Sequence, residues 1–136
     1  MRSTLRAGME QFVRFINSTD PEIGATIIDP EAVFHVPFSK EPLHGLQGYL
    51  QVLAMMRSSF SDIRWTLEET VIEGDTVAAR FTLTGTHDGD FFGIPATHRT
   101  ISAPAMNHYT FTNGQITSER GLPDIFGIMS QLRGTA

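Results

Sequence analysis

Four polar side chains sit in apolar company, where proton transfer or carbonyl recognition becomes possible: His35, Asn107, Arg120 and Asp124. Asp124 follows Leu122-Pro123 and precedes the apolar run IFGIMSQL. It reads either as an acid–base carboxylate or as a helix N-terminal carboxylate favoured by the macrodipole. His35 stands in AVFHV as a base, a donor to a carbonyl, or a satisfied core histidine. Asn107 alternates with Ala105, Tyr109 and Phe111, so if Phe111 is core, Asn107 points inward and needs a partner. Tyr109 on that face either offers its hydroxyl to a ligand or packs. Arg120 shares parity with Ile116, Ser118 and Leu122. If that face is the inner one, Arg120 requires a carboxylate partner or an anionic ligand group; otherwise it faces solvent. His87 and His98 lie eleven residues apart with no third ligand nearby, which is not a metal-site spacing.

Composition narrows the classes. The chain has 136 residues, enough for one domain over 1–136 with a real core. A net charge of −5 and a single Lys among ten basic residues disfavour nucleic acid as a partner. Cysteine is absent, so disulfides and thiolate chemistry are excluded. No apolar run approaches the roughly 18 residues of a membrane span, and the first residues lack the apolar core of a signal peptide. A soluble, cytoplasmic protein without membrane contact is the expectation.

The elements that must position these residues follow from periodicity. Leu5, Met9, Phe12, Val13 and Ile16 form a helical stripe, with Phe15 beside it. A short helix is predicted from Pro21 to about Ile28, capped by Asp20. AVFHV is a short strand. A third helix, GLQGYLQVLAMMRSSF, carries the stripe Tyr49, Leu53, Met56 and Phe60. The period then changes to two. Ile63, Trp65, Leu67 and Val71 share one strand face; Val77, Ala79, Phe81 and Leu83 share another. Asn113-Gly114 marks a type I′ hairpin before the last strand. Helices followed by a four-strand meander give an α+β class: a curved antiparallel sheet with helices on its concave side. The loop GTHDGDFFGIPATHR keeps Phe91, Phe92, Ile94 and Pro95, which should be covered by a partner, by the lip of a cavity, or by this chain's own sheet.

With its order of elements, the loop pattern GTHxGxFxGIPATxR, the turn FTNGQI and the terminal PDxxGxxxQL, the chain resembles the SnoaL-like polyketide cyclases, of the nuclear-transport-factor-two-like cone fold. The resemblance covers nearly the whole chain. It implies a cone-shaped sheet wrapped around the N-terminal helices with an interior cavity, a homodimer, and a small apolar or polycyclic ligand. It also implies a cyclase or isomerase that closes a ring by an aldol step with no metal or organic cofactor. In that reading Asp124 and His35 are catalytic, while Asn107, Arg120, Tyr109, Phe15 and Met56 contact substrate. Two registers are open for the family's acid: Asp124, or three positions earlier, where this chain has Gly121. The rival functions are a non-catalytic binding module and an epoxide-opening enzyme; Arg80 and Arg99 lack the neighbouring inward carboxylates that epoxide opening needs.

Overall fold

The computed structural model describes residues 2–134. Its elements are α1 (Arg2–Ser18), α2 (Pro21–Ile27), β1 (Ile28–His35), β2 (Leu43–His44), α3 (Gly45–Ser59), β3 (Arg64–Glu73), β4 (Thr76–Thr86), β5 (Thr100–Thr112), β6 (Gln115–Pro123) and α4 (Ile125–Arg133). The expected stripe of α1 is buried through Leu5, Met9, Phe12, Phe15 and Ile16. Asp20 caps α2, its carboxylate accepting from the Glu22 N–H at 2.9 Å. Asn113 and Gly114 both take positive φ, as the type I′ turn requires.

Six strands form one curved, unclosed sheet in the order β2-β1-β6-β5-β4-β3. All neighbours are antiparallel except β1 and β6, which pair in parallel. The sheet is therefore mixed, not purely antiparallel as the meander suggested. A parallel pair needs a long crossover, and here everything from β2 to β5 lies between the two strands. The helices cover the inner face, where Phe12, Phe15, Phe34, Phe60, Phe81 and Tyr109 are fully buried.

Two β-bulges change which side chains face inward. On β3, Leu67 pairs with Phe81 and Glu69 with Arg80, leaving Glu68 as the extra residue. Trp65 and Leu67 face the core before the bulge and Ile72 after it, so Val71 turns outward and is 61% exposed. On β6, Ile116 pairs with Phe111 and Ser118 with Thr110, leaving Thr117 as the extra residue. A bulge puts two residues opposite one and resets alternation beyond it. Ile116 is buried, but after Thr117 the inward positions are Glu119, Gly121 and Pro123.

The β4–β5 loop is tied to the end of α3. The Asp88 and Gly89 N–H groups both donate to the Ser59 carbonyl, at 3.0 and 3.1 Å. Phe91 is buried against Phe60, with ring centroids 5.2 Å apart, so this chain's own core covers it. Ile94 is half-buried, and Phe92 and Pro95 are exposed. A Cβ on Gly89 would lie 1.9 Å from the Ser58 carbonyl oxygen, which is backbone and cannot step aside. Gly89→Ala should therefore destabilise the fold by about 3 kcal/mol, read as a lowered midpoint in urea unfolding, while Gly74→Ala, which meets nothing, should cost less.

Candidate active site

On the inner face of the sheet lies a cavity of about 40 Å³, walled by Phe38, Tyr49, Met56, Trp65, Asn107 and Glu119 among others. At ~10–15 Å³ per water, that is room for about three water molecules. A larger groove of about 270 Å³ lies outside, but exposed Arg6, Glu10, Glu68 and Glu69 line it. The small cavity contains a buried charge-bearing group.

That group is Glu119, 1% exposed. It faces inward because of the bulge at Thr117. Its Oε2 accepts from Asn107 Nδ2 at 3.2 Å, and Oε1 is buried without a hydrogen-bond partner of good geometry. Asn107 Nδ2 also donates to the Tyr109 hydroxyl at 3.1 Å. The Asn107 amide is oriented by its other end, whose Oδ1 accepts from the Leu122 N–H at 3.1 Å. Burial pushes the Glu119 carboxyl up from 4.5 to about 7, and the Tyr109 and Tyr49 hydroxyls offset only part of that shift. Both tyrosines are in turn raised well above their ordinary range, first by burial and then by the nearby Glu119 charge. They remain protonated donors at neutral pH.

An aromatic shell fixes these groups. Phe12 meets Tyr49 and Tyr109 edge-on, each at 5.3 Å, and Phe34 meets Tyr49 at 4.7 Å. Trp65 is anchored to the end of α1: Asn17 Nδ2 donates to its carbonyl, and its N–H donates to Asn17 Oδ1, both at 2.9 Å.

The structure separates the residues singled out in the sequence. Asn107, Tyr109 and Met56 belong to the cavity or its wall. Phe15 is fully buried behind it, 6.1 Å from the Tyr49 ring. Asp124 does not reach the cavity: it is exposed and caps α4, accepting from the Gly127 N–H at 2.8 Å. The N-terminal carboxylate reading is the one its geometry matches. His35 and Arg120 are paired neighbours on the outer face, with His108 next to Arg120. Arg120 points away because Thr117 reverses the parity on which its inward placement depended. Arg80 is also on the outer face, bonded to Glu69 at 3.3 Å. Gly121 lines the cavity, and a Cβ there would lie 3.4 Å from Glu119 Oε2 and 3.5 Å from Asn107 Oδ1. Neither register of the family's acid thus places a carboxylate inside. Glu119 and Tyr49 do the placing instead, and sequence reasoning missed both as site residues. Tyr49 carried a signal, a hydroxyl inside an apolar helical stripe; Glu119 carried none without the bulge. Among the described residues, no group of three or more His, Asp or Glu side chains is placed to hold a metal ion, and no helix is long and apolar enough to cross a membrane.

The raised carboxyl of Glu119 has a consequence for stability. A carboxyl that binds its proton more tightly when folded favours the fold below about pH 4.5 and loses that contribution as pH rises through about 7. The difference corresponds to about 3 kcal/mol. Glu119→Gln should flatten the fall in stability between those pH values and be more stable than the parent at pH 8. Urea unfolding at a series of pH values checks this.

Comparison with known proteins places the chain. The family model for SnoaL-like polyketide cyclases matches residues 7–132. The aklanonic acid methyl ester cyclase DnrD of Streptomyces peucetius is 31% identical over 107 residues, 77% of this chain and 70% of that protein. The aklanonic acid methyl ester cyclase AcmA of Streptomyces galilaeus is 30% identical over 128 residues, 93% of this chain and 88% of that protein. The crystal structure of IdmH from Streptomyces antibioticus superposes with a TM-score of 0.84 at 27% identity, covering 94% of this chain and 97% of IdmH. On this fold and these matches, the chain belongs to the SnoaL-like polyketide cyclase family.

Proposed function

We propose that this protein closes a ring in a polyketide intermediate by an intramolecular aldol step, with Glu119 as the acid–base group. The observation that carries the reading is a carboxyl buried in an aromatic cavity, poised near pH 7 and flanked by amide and hydroxyl donors. A base of that strength can take a proton from carbon beside a carbonyl. Asn107 Nδ2 and the Tyr49 and Tyr109 hydroxyls are the donors available to a developing enolate oxygen. The enolate carbon then attacks a second carbonyl of the same molecule, and the new alkoxide takes back the proton held on Glu119. The step is a net isomerisation with no redox change, so it calls for no cofactor. Catalysis on His35 or Asp124 would require groups outside the cavity to reach a substrate within it. A methyl ester of the kind in the relatives' names, aklanonic acid methyl ester, is the first substrate to offer. Among the described residues no cationic side chain lines the cavity to hold a free carboxylate, which fits an ester.

A second reading, a ligand-binding module without chemistry, is favoured by the cavity's small size and by Gly121. One experiment separates them. Glu119→Gln should lower kcat/KM by about 10²–10⁴, and the parent's activity should rise with pH through about 7. Asp124→Ala should leave the rate unchanged and lower stability by about 1 kcal/mol. Unchanged turnover in Glu119→Gln would overturn the assignment.

We also propose that the protein pairs with a second copy through the outer sheet face. Val71, Met106 and Leu122 lie there 61%, 64% and 68% exposed, with Met106 and Leu122 directly paired across strands. Large apolar side chains left exposed on one sheet face mark interfaces. Light scattering should give twice the chain mass, reduced to one by Met106→Glu with Leu122→Glu.

A further inference from the structure

The cavity is too small for the substrates its chemistry suits. A cavity that accepts benzene is on the order of 150 Å³, against about 40 Å³ here. A second hollow of about 210 Å³ adjoins it, lined by Leu43 and Met55 and sharing Val36, Phe38 and Val52 with the cavity. Of the shared residues, Phe38 has the largest side chain. Val52 belongs to α3, whereas Val36 and Phe38 belong to segment 36–42, between β1 and β2. The hydrogen bonds described for that segment are local: the Ser39 N–H donates to the Val36 carbonyl, and the Ser39 hydroxyl to the Glu41 carbonyl.

Phe92 lies beside Phe38. The two rings are nearly parallel, 21° apart, with centroids at 6.1 Å. Phe92 is 51% exposed and has a φ of +46°, beside Gly93 at +85°. These are the central positions of a tight turn closed by paired bonds between Phe91 and Ile94. Such a turn prefers Asn or Gly at the first of them, not an aromatic residue. A bulky side chain held at positive φ is a strained choice that points to a use. Phe91 supplies the fixed base, edge-on to Phe92 at 4.7 Å and buried on Phe60.

We propose that Phe38 is the movable partition between cavity and groove, and that Phe92 is a stacking platform that guides a planar, uncharged ring system past it to Glu119. The proposal rests on the cyclase reading for its ligand class. When Phe38 swings aside, cavity and groove become one site large enough for a fused ring, and Phe92 receives the face of the ring that Phe38 vacates.

The protein's single tryptophan, Trp65, lines the cavity and reports arrival of a ring by quenching. The probe is 1,4-dihydroxyanthraquinone, mixed with the whole protein in a stopped-flow fluorimeter. Phe38→Ala should raise the association rate about tenfold, because the opening step is removed. Phe38→Leu gives the same test if the alanine variant melts too low. Phe92→Asn, which suits the positive φ, should keep or raise Tm while weakening binding about fivefold. Equal association rates in the parent and both Phe38 variants would overturn the partition and leave the cyclase reading intact. Parent-like affinity in Phe92→Asn would overturn the platform. An absence of quenching in every variant, with Glu119→Gln inactive on ester substrate, would overturn this route alone; the same absence with Glu119→Gln fully active would remove both readings.

Discussion

Removing a carboxyl group from water without giving it a cation is costly, and this fold meets that cost with neutral amide and hydroxyl neighbours. Glu119 sits among Tyr49, Tyr109 and Asn107, with Phe12 and Phe34 holding the tyrosine rings. No neighbour neutralises it, so the proton affinity rises until the group titrates near pH 7. Had an arginine faced the carboxylate, its proton affinity would fall and it would be a weaker base. The placement of Arg120 and Arg80 on the other face of the sheet is therefore as important to the chemistry as Glu119 itself.

That separation depends on one extra residue. Thr117 makes β6 bulge, and its neighbours Glu119 and Arg120 exchange sides relative to an unbroken strand. The same device on β3 moves Val71 out and Ile72 in. Bulges thus adjust the chemistry of the inner face without altering the number or order of strands. They also curve the sheet, and a curved sheet leaves a hollow where a flat one would close against the helices.

This explains what was legible in the sequence and what was not. The α1 stripe, the Asp20 cap, the Asn113-Gly114 turn and the inward row Ala103, Ala105, Asn107, Tyr109 all follow from local periodicity and turn chemistry. Each depends on neighbours within a few residues. A bulge is different: nothing in QITSERGLP announces that Thr117 will be left unpaired, because the cause lies in the fit of β6 between β5 and β1. Strict alternation leaves Arg120 either inward or in solvent, and only the bulge turns Glu119 to the inside. The apolar surroundings of Asp124 belong to the helix it caps and not to the cavity. The parallel pairing of β1 was hidden for the same reason as the bulge, since its partner is distant in sequence.

That pairing orders events in time. β1 joins the sheet through β6, with Phe34 opposite Glu119 and His35 opposite Arg120, so among the described strands its principal partner is the one farthest along the chain. Until the two pair, Phe34 and the apolar stripe of α1 have no complete surface to pack on. Loop closure over so long a span is slow. Before β6 is in place, β1 has only the two-residue strand β2 beside it in the sheet, so the inner face is completed by the pairing that spans the most sequence.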